Sequence, residues 1–258
     1  NEEIDFNDMI NKATAYVQEG KYINPYKYVI VDEYQDISKA RFSLLKALRD
    51  TNDYDLFCVG DDWQSIYRFA GSDMAYILNF SNFWGPTEIS KIETTYRFSK
   101  SLIDISGSFV MKNPNQIKKN IQGKENKYGF ALGVIKGYTE DYAVQFMLNK
   151  LDELPANKSV FFIGRYSFVM KILENTSQLH CSYDNTNGTI KITYSKRKDL
   201  KITFITAHKS KGLQADYVFI LNNKDRGMGF PSKIQEDPIV DLLLEANETF
   251  PFAEERRL

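Results

Sequence analysis

The feature that most constrains this chain is a repeated rhythm in which a short apolar run ends on carboxylates and a helical stretch follows. Tyr28-Val29-Ile30-Val31 is apolar and β-branched and stops at Asp32-Glu33. After a helical pattern through Ala40, Leu44, Leu45 and Leu48, the run Leu56-Phe57-Cys58-Val59 closes on Gly60-Asp61-Asp62. Apolar strands alternating with helices belong to a parallel α/β sheet, which collects its functional groups at the strand C-termini. Apolar residues spaced through residues 4–19 predict an amphipathic helix ended by Gly20, and residues 99–113 a second, ended by Asn113-Pro114.

Beyond a polar, Gly-rich stretch from Gly123 to Gly129 the rhythm resumes. Strands are expected at 131–135, 160–163, 202–205 and 217–221, and helices at 141–151 and 168–175. A hairpin region over 178–201 turns at Asn187-Gly188, a type I′ signal. At 258 residues the chain exceeds the common single-domain size. The expectation is therefore an α/β protein of two parallel-sheet domains, 1–122 and 123–258.

Composition bounds the partners only loosely. Hydrophobic residues at 43% and charged residues at 26% suit globular material with a core. No apolar run approaches the ~20 residues of a membrane span, so no membrane partner is expected. The two cysteines, Cys58 and Cys181, lack metal-site spacing and fit a reducing cytoplasm. Two histidines are too few for a His-based metal centre. A net charge of −1 does not announce a nucleic-acid binder. Positive charge is grouped at Lys118-Lys119, at Lys196-Arg197-Lys198 and at Lys209 with Lys211, and each group reads as solvated surface.

The chemistry concentrates at the strand tips. An apolar strand that delivers Asp32-Glu33 suits a nucleotide hydrolase, because adjacent carboxylates need an electrostatic reason to be together and a dication supplies one. The first would bind Mg²⁺ and the second would orient or deprotonate water. A solvated acidic turn explains the same residues equally well. At the second tip, Gln64 carries an amide able to donate to a γ-phosphate oxygen and accept from water. Trp63, Tyr67 and Phe69 offer flat faces for base stacking, or else fill core with Ile66.

Taken together, Asp32-Glu33-Tyr34-Gln35-Asp36 and Gly60-Asp61-Asp62-Trp63-Gln64-Ser65-Ile66-Tyr67-Arg68-Phe69 resemble the paired signatures of the UvrD/Rep-type superfamily 1 helicases. Thr95-Tyr96-Arg97-Phe98-Ser99 is similar to the family's tyrosine-arginine motif. The segment from Thr206 to Asp216, with His208, Lys211 and Gly212, resembles its T-x-H-x-x-K-G motif. Glu254-Glu255-Arg256-Arg257-Leu258 looks like the opening of the last motif. Four motifs and part of a fifth, in order over nearly the whole chain, are far more specific than any one alone.

The resemblance implies two RecA-like domains of the P-loop NTPase type, both incomplete, ATP and Mg²⁺ as cofactors, and single-stranded and partly duplex DNA as partners. It implies Asp32 as the metal ligand and Glu33 as the activator of water, with Gln35 and Gln64 on the γ-phosphate side. Tyr96 would stack on adenine and Arg97 would reach the γ-phosphate. Tyr67 and Phe69 would meet DNA bases, and His208 a DNA phosphate. Gly212 would give close approach to the nucleotide and Gln214 would lie near the ribose. Movement 3′ to 5′ by a monomer is also implied.

Departures from the pattern matter. Ala70 stands where many relatives carry arginine, so one DNA contact is expected to be lost. Phe69 replaces a common tryptophan, and Gln214 a more frequent glutamate. The interval between Arg165 and Ile202 is too short for a large inserted accessory domain. No G-x-x-x-x-G-K-[ST] occurs, and the last motif stops at Leu258, as expected of a fragment that by itself hydrolyses little or no ATP. Two other readings compete with a motor: a non-catalytic module that keeps the fold for DNA or partner binding, and the motor segment of a helicase–nuclease. The intact Asp32, Glu33, Gln64 and Arg97 favour the motor.

Overall fold

A computed structural model of the chain describes residues 3–123, 132–184, 189–234, 237–245 and 248–258. The chain divides into two compact units, one of residues 1–97, 103–124 and 235–257, the other of residues 98–102, 125–234 and 258. The polar, Gly-rich stretch predicts a division at 122/123; the tertiary contacts group 235–257 with the first unit.

The first unit opens with α1 (Phe6–Gln18), started by a reciprocal capping box in which the Asp8 N–H donates to Asp5 at 2.7 Å and the Asp5 N–H donates to Asp8 at 3.2 Å. Strand β1 (Tyr28–Val31), α2 (Lys39–Thr51) and β2 (Asp55–Cys58) follow, with β1 and β2 parallel and Val31 opposite Cys58. Short helices α3 (Ala75–Leu78) and α4 (Phe80–Trp84) carry aromatic side chains back over the strands. The core joins Tyr34, Ile37 and Tyr76 to Val31, Phe42, Leu45 and Phe80. Phe42 stacks on Tyr76 with centroids 4.2 Å apart, and the Trp84 indole N–H donates to the Tyr34 hydroxyl at 2.8 Å. That bond satisfies a phenol that burial pushes well above its usual pKa.

A second parallel pair, β3 (Thr94–Thr95) with β4 (Gln122–Gly123), brackets α5 (Lys100–Val110), whose first residues group with the second unit. These two-residue strands carry no periodicity from which a sequence could announce them.

The second unit contains α6 (Glu140–Asp152), β5 (Ser159–Gly164), α7 (Lys171–Glu174), β6 (Leu179–Asp184), β7 (Thr189–Tyr194), β8 (Lys201–Thr206), α8 (Ala207–Ser210) and β9 (Tyr217–Ile220). Its five-stranded sheet runs in the order β6-β7-β8-β5-β9, with β5 parallel to both neighbours. Val160, Phe162 and Gly164 face inward, and the core gathers Leu148, Leu151, Leu173, Ile192, Tyr194, Ile202 and Phe204.

The fold is mixed α/β, and three expectations are corrected. The second sheet is not wholly parallel, because β6 pairs antiparallel with β7 and β7 antiparallel with β8. The expected hairpin is thus an edge extension of the sheet; its turn at 187–188 lies outside the described residues. Residues 132–135, expected to be strand, form none. Leu132 and Val134 there are exposed, so their alternation has no buried face to serve. The expected helix at 168–175 is a 3₁₀ turn at Ser167–Met170 followed by α7.

Closing the chain, α9 (Pro238–Leu243) starts at Asp237, whose side chain accepts the Ile239 N–H. Helix α10 (Ala253–Arg257) is fixed in the first unit by Arg257. That guanidinium forks onto Glu248 at 2.6 and 2.9 Å and donates to the Ser65 carbonyl at 2.5 Å. No helix among the described residues is long and apolar enough to cross a membrane.

Candidate functional site

The first unit brings its two strand tips together through one buried amide. Glu33, two residues past the end of β1, has φ +52°, a left-handed conformation that a non-glycine residue adopts at a cost. The turn is held by the Tyr34 N–H donating to the Val59 carbonyl at 2.8 Å and by the Glu33 N–H donating to Asp32 Oδ1 at 2.8 Å. It tucks the Gln35 side chain, 1% exposed, between the tips. Gln35 Nε2 donates to Glu33 Oε2 at 2.6 Å, and Gln35 Oε1 accepts the Asp61 N–H at 2.9 Å.

Gly60 is required at this junction. A Cβ there would meet Gln35 Oε1 at 2.9 Å and the Gln35 backbone nitrogen at 3.2 Å. The connection continues at Asp61. Its carboxylate accepts Gln64 Nε2 at 2.7 Å and the Trp63 N–H at 3.0 Å, and it is paired with Lys119. Burial alone would raise the Asp61 carboxyl; the Lys119 ammonium, helped by Gln64 and Trp63, outweighs it and holds the group below the usual carboxylate range. Asp62 is fully buried, accepting Gln116 Nε2 at 2.6 Å and the Ile117 N–H at 2.7 Å, with Lys119 on its other oxygen at 2.5 Å.

Asp32, Glu33, Gln35 and Gln64 therefore lie along one hydrogen-bonded chain. Asp32, Glu33 and Gln64 are exposed. Tyr96 and Arg97 follow β3 and are also exposed, and the Arg97 N–H donates to Thr95 Oγ1 at 3.3 Å. No described hydrogen bond or ion pair joins the Arg97 guanidinium to Glu33 or Gln64. Among the described residues no cluster of three or more His, Cys, Asp or Glu forms a ready-made metal cage. The exposed Asp32 and Glu33 carboxylates are hard oxygen donors of the kind Mg²⁺ takes, one or two at a time with water completing its octahedron.

The aromatic residues divide. Ile66 is core, 4% exposed, whereas Phe69 is 59% exposed and meets a half-buried Tyr67 edge-on at 6.2 Å. Trp63 departs from its expected role as a free stacking face. Its indole N–H donates to the Ile117 carbonyl at 3.1 Å and Lys119 lies 4.9 Å from its ring centre.

In the second unit, His208 opens the turn of α8 at the tip of β8, with Nδ1 3.4 Å from Arg165 Nη1. Arg165 follows β5 and lies over the Tyr166 ring, which stacks on Phe168 at 5.4 Å. Gly212 has φ +78°, so glycine is there for its backbone, not for space. Gln214 is exposed beyond it.

Sequence reading gives no site role to Lys119 or Arg165, and none to Asp61, Asp62 and Arg257 beyond the motifs that contain them. The doubled aspartate signals a cation, and that cation lies 58 residues away. In two of the basic groups read as solvated surface one member departs from that reading, while Lys118, Lys196 and Lys198 are exposed as expected. Lys119 is 16% exposed and ion-paired, and Arg197 caps α6 by donating to the carbonyls of Leu151, Asp152 and Leu154.

The first unit is thus of the α/β class that sets carboxylates and an amide at the tips of parallel strands. Residues 1–84 match the UvrD/REP helicase N-terminal domain. Over 257 residues the chain is 34% identical to DNA helicase IV of Escherichia coli (strain K12), covering 99% of this chain and 35% of that protein. It is 26% identical over 245 residues to ATP-dependent DNA helicase PcrA of Bacillus subtilis (strain 168), covering 90% of this chain and 32% of that protein. With ATP-dependent DNA helicase Rep of Buchnera aphidicola subsp. Acyrthosiphon pisum (strain APS) the identity is 29% over 181 residues, 66% of this chain and 28% of that protein. Residues 1–84 thus carry the UvrD/REP helicase N-terminal domain, and nearly the whole chain is similar to helicases of the UvrD/Rep type. It spans about a third of the length of these curated relatives.

Proposed function

We propose that this chain is the motor segment of an ATP-dependent DNA helicase, built on two RecA-like domains and coupling hydrolysis to 3′–5′ movement on single-stranded DNA and duplex opening. The observation that carries the proposal is the buried Gln35 link from Glu33 to Asp61 and on to Gln64. It ties a water-activating carboxylate to an amide suited to sensing the γ-phosphate. The printed names of the relatives, DNA helicase IV and the ATP-dependent DNA helicases PcrA and Rep, support the same reading.

In this reading Asp32 holds Mg²⁺, and the ion supplies charge neutralisation to the phosphates. Glu33, oriented by the Gln35 amide, accepts the proton of the attacking water. Gln64, which gives one N–H of its amide to Asp61 and has a second to donate to a γ-phosphate oxygen, distinguishes triphosphate from diphosphate. Tyr96 stacks on the adenine, Arg97 stabilises charge developing on the γ-phosphate, and Gly212 and Gln214 complete nucleotide binding. Phe69 and Tyr67 meet unstacked bases, and His208 meets a DNA phosphate.

The test is Glu33→Gln in the full-length protein. ATP turnover should disappear while nucleotide binding, followed with a fluorescent ATP analogue, stays within about twofold of wild type. Undiminished hydrolysis would remove Glu33 from the chemistry and with it this proposal.

A further inference from the structure

We infer that Lys119 is a positioning residue of the hydrolytic site: its ammonium, clamped between the Asp61 and Asp62 carboxylates and over the Trp63 ring, sets the orientation of the Gln64 amide. The inference rests on the proposed function and adds a component to the same site.

The geometry supplies the reason. Two adjacent carboxylates at one strand tip repel each other, and the second is fully buried. One largely buried cation reaches both, with Asp62 Oδ1 at 2.5 Å. Without it, Asp62 would still accept from Gln116 and the Ile117 N–H, but Asp61 would keep only Gln64 and Trp63 as donors against its neighbour's charge. Asp61 is the joint of the assembly. Its N–H is fixed by Gln35, and its carboxylate fixes the Gln64 nitrogen at 2.7 Å. Since an amide is planar, holding the nitrogen on Asp61 turns the Gln64 oxygen to the opposite side. Lys119 touches neither Gln64 nor Glu33 in any described contact, so it acts through Asp61. The segment that delivers it is itself anchored: Gln116 accepts from Arg257 at 3.2 Å, and the Ile117 carbonyl accepts the Trp63 indole.

The experiment is a double-mutant cycle in the full-length protein, measuring DNA-stimulated ATP hydrolysis, with amide hydrogen exchange over residues 61–65 as a second readout. Lys119→Met should lower kcat about tenfold, with KM for ATP within about twofold, and speed exchange at 61–65. Lys119→Arg should restore most of both. In a Gln64→Ala background, Lys119→Met should cost little more, because the residue it positions is already gone. Lys119→Gln, which keeps a hydrogen-bond donor but no charge, should show the same kcat loss and the same dependence on Gln64, and carries the test if Lys119→Met does not fold. Unchanged kcat, or a loss of equal size with and without Gln64, would overturn the inference. Glu33→Gln run alongside separates the cases: if that variant still hydrolyses ATP, the proposed function fails and not merely the clamp.

Discussion

Gln35 accepts the Asp61 N–H at 2.9 Å, a side-chain bond that joins the tips of β1 and β2 alongside the backbone bond from Tyr34 to Val59. The same side chain donates to Glu33 at 2.6 Å, so both ends of its amide are committed. Gln35→Ala strands a buried N–H and releases Glu33, and should destabilise the fold by about 1–3 kcal/mol. Gln35→Glu should retain the bond to Asp61 but set a second carboxylate against Glu33, and so lose more turnover than stability. Denaturant midpoints read beside kcat check this; a Gln35→Glu protein as active as wild type would sink it.

Phe69 is exposed at 59%, in a unit that buries Tyr34, Tyr76 and Trp84. Its removal should therefore leave stability within about 0.5 kcal/mol of wild type. Phe69→Ala should instead weaken single-stranded DNA binding by about 1–3 kcal/mol, the range for a lost stacking partner. Phe69→Trp should bind at least as tightly. Fluorescence anisotropy with a labelled oligonucleotide decides, and equal affinity for all three proteins would return Phe69 to a packing role.

Much of this site was legible where chemistry and local pattern coincide. The apolar run at 28–31 matches β1 residue for residue, and its carboxylates, with Gln35 and Gln64, fall along one chain of bonds. What stayed hidden was non-local. The pairing of Lys119 with Asp61, and the return of Arg257 to the Ser65 carbonyl, join residues that sequence spacing cannot bring together. The two-residue strands β3 and β4 exist only because each supplies the other's ladder. Residues 132–135 failed in the opposite sense, since an apolar alternation without a partner is not a strand.

Arg197 donates to the carbonyls of Leu151, Asp152, Leu154 and Pro155 and forks onto Asp199 at 2.8 and 2.9 Å. These include carbonyls at the end of α6, which otherwise lack intrahelical partners. Arg197→Met should lower the unfolding midpoint of the second unit without changing DNA affinity in proportion. Arg197→Lys should recover only part of the loss, because an ammonium lacks the planar fork. A lysine variant as stable as wild type would show that charge alone suffices.

Asp216 joins the start of β9 to the start of β5, accepting the Ser159 N–H at 2.9 Å, the Ser159 hydroxyl at 2.6 Å and Lys158 at 3.0 Å. The Ser159 hydroxyl first, then the Ser159 N–H and the Lys158 ammonium, hold its carboxyl below the ordinary 3.8. Arg197 does the same for Asp199. A carboxyl whose folded pKa is depressed releases its proton more readily in the folded state, so it stabilises the fold above the unfolded pKa. That contribution is fully present at neutral pH and is lost as pH falls below about 3.9 towards the depressed folded value. The second unit should therefore show an almost flat stability from neutral pH to about pH 5 and a steep decline in stronger acid. Asp216→Asn keeps an acceptor but no charge, so its stability should be lower at neutral pH and its acid decline shallower. Denaturant titrations across that range measure both limbs, and parallel curves for the two proteins would show that Asp216 does not drive the acid transition.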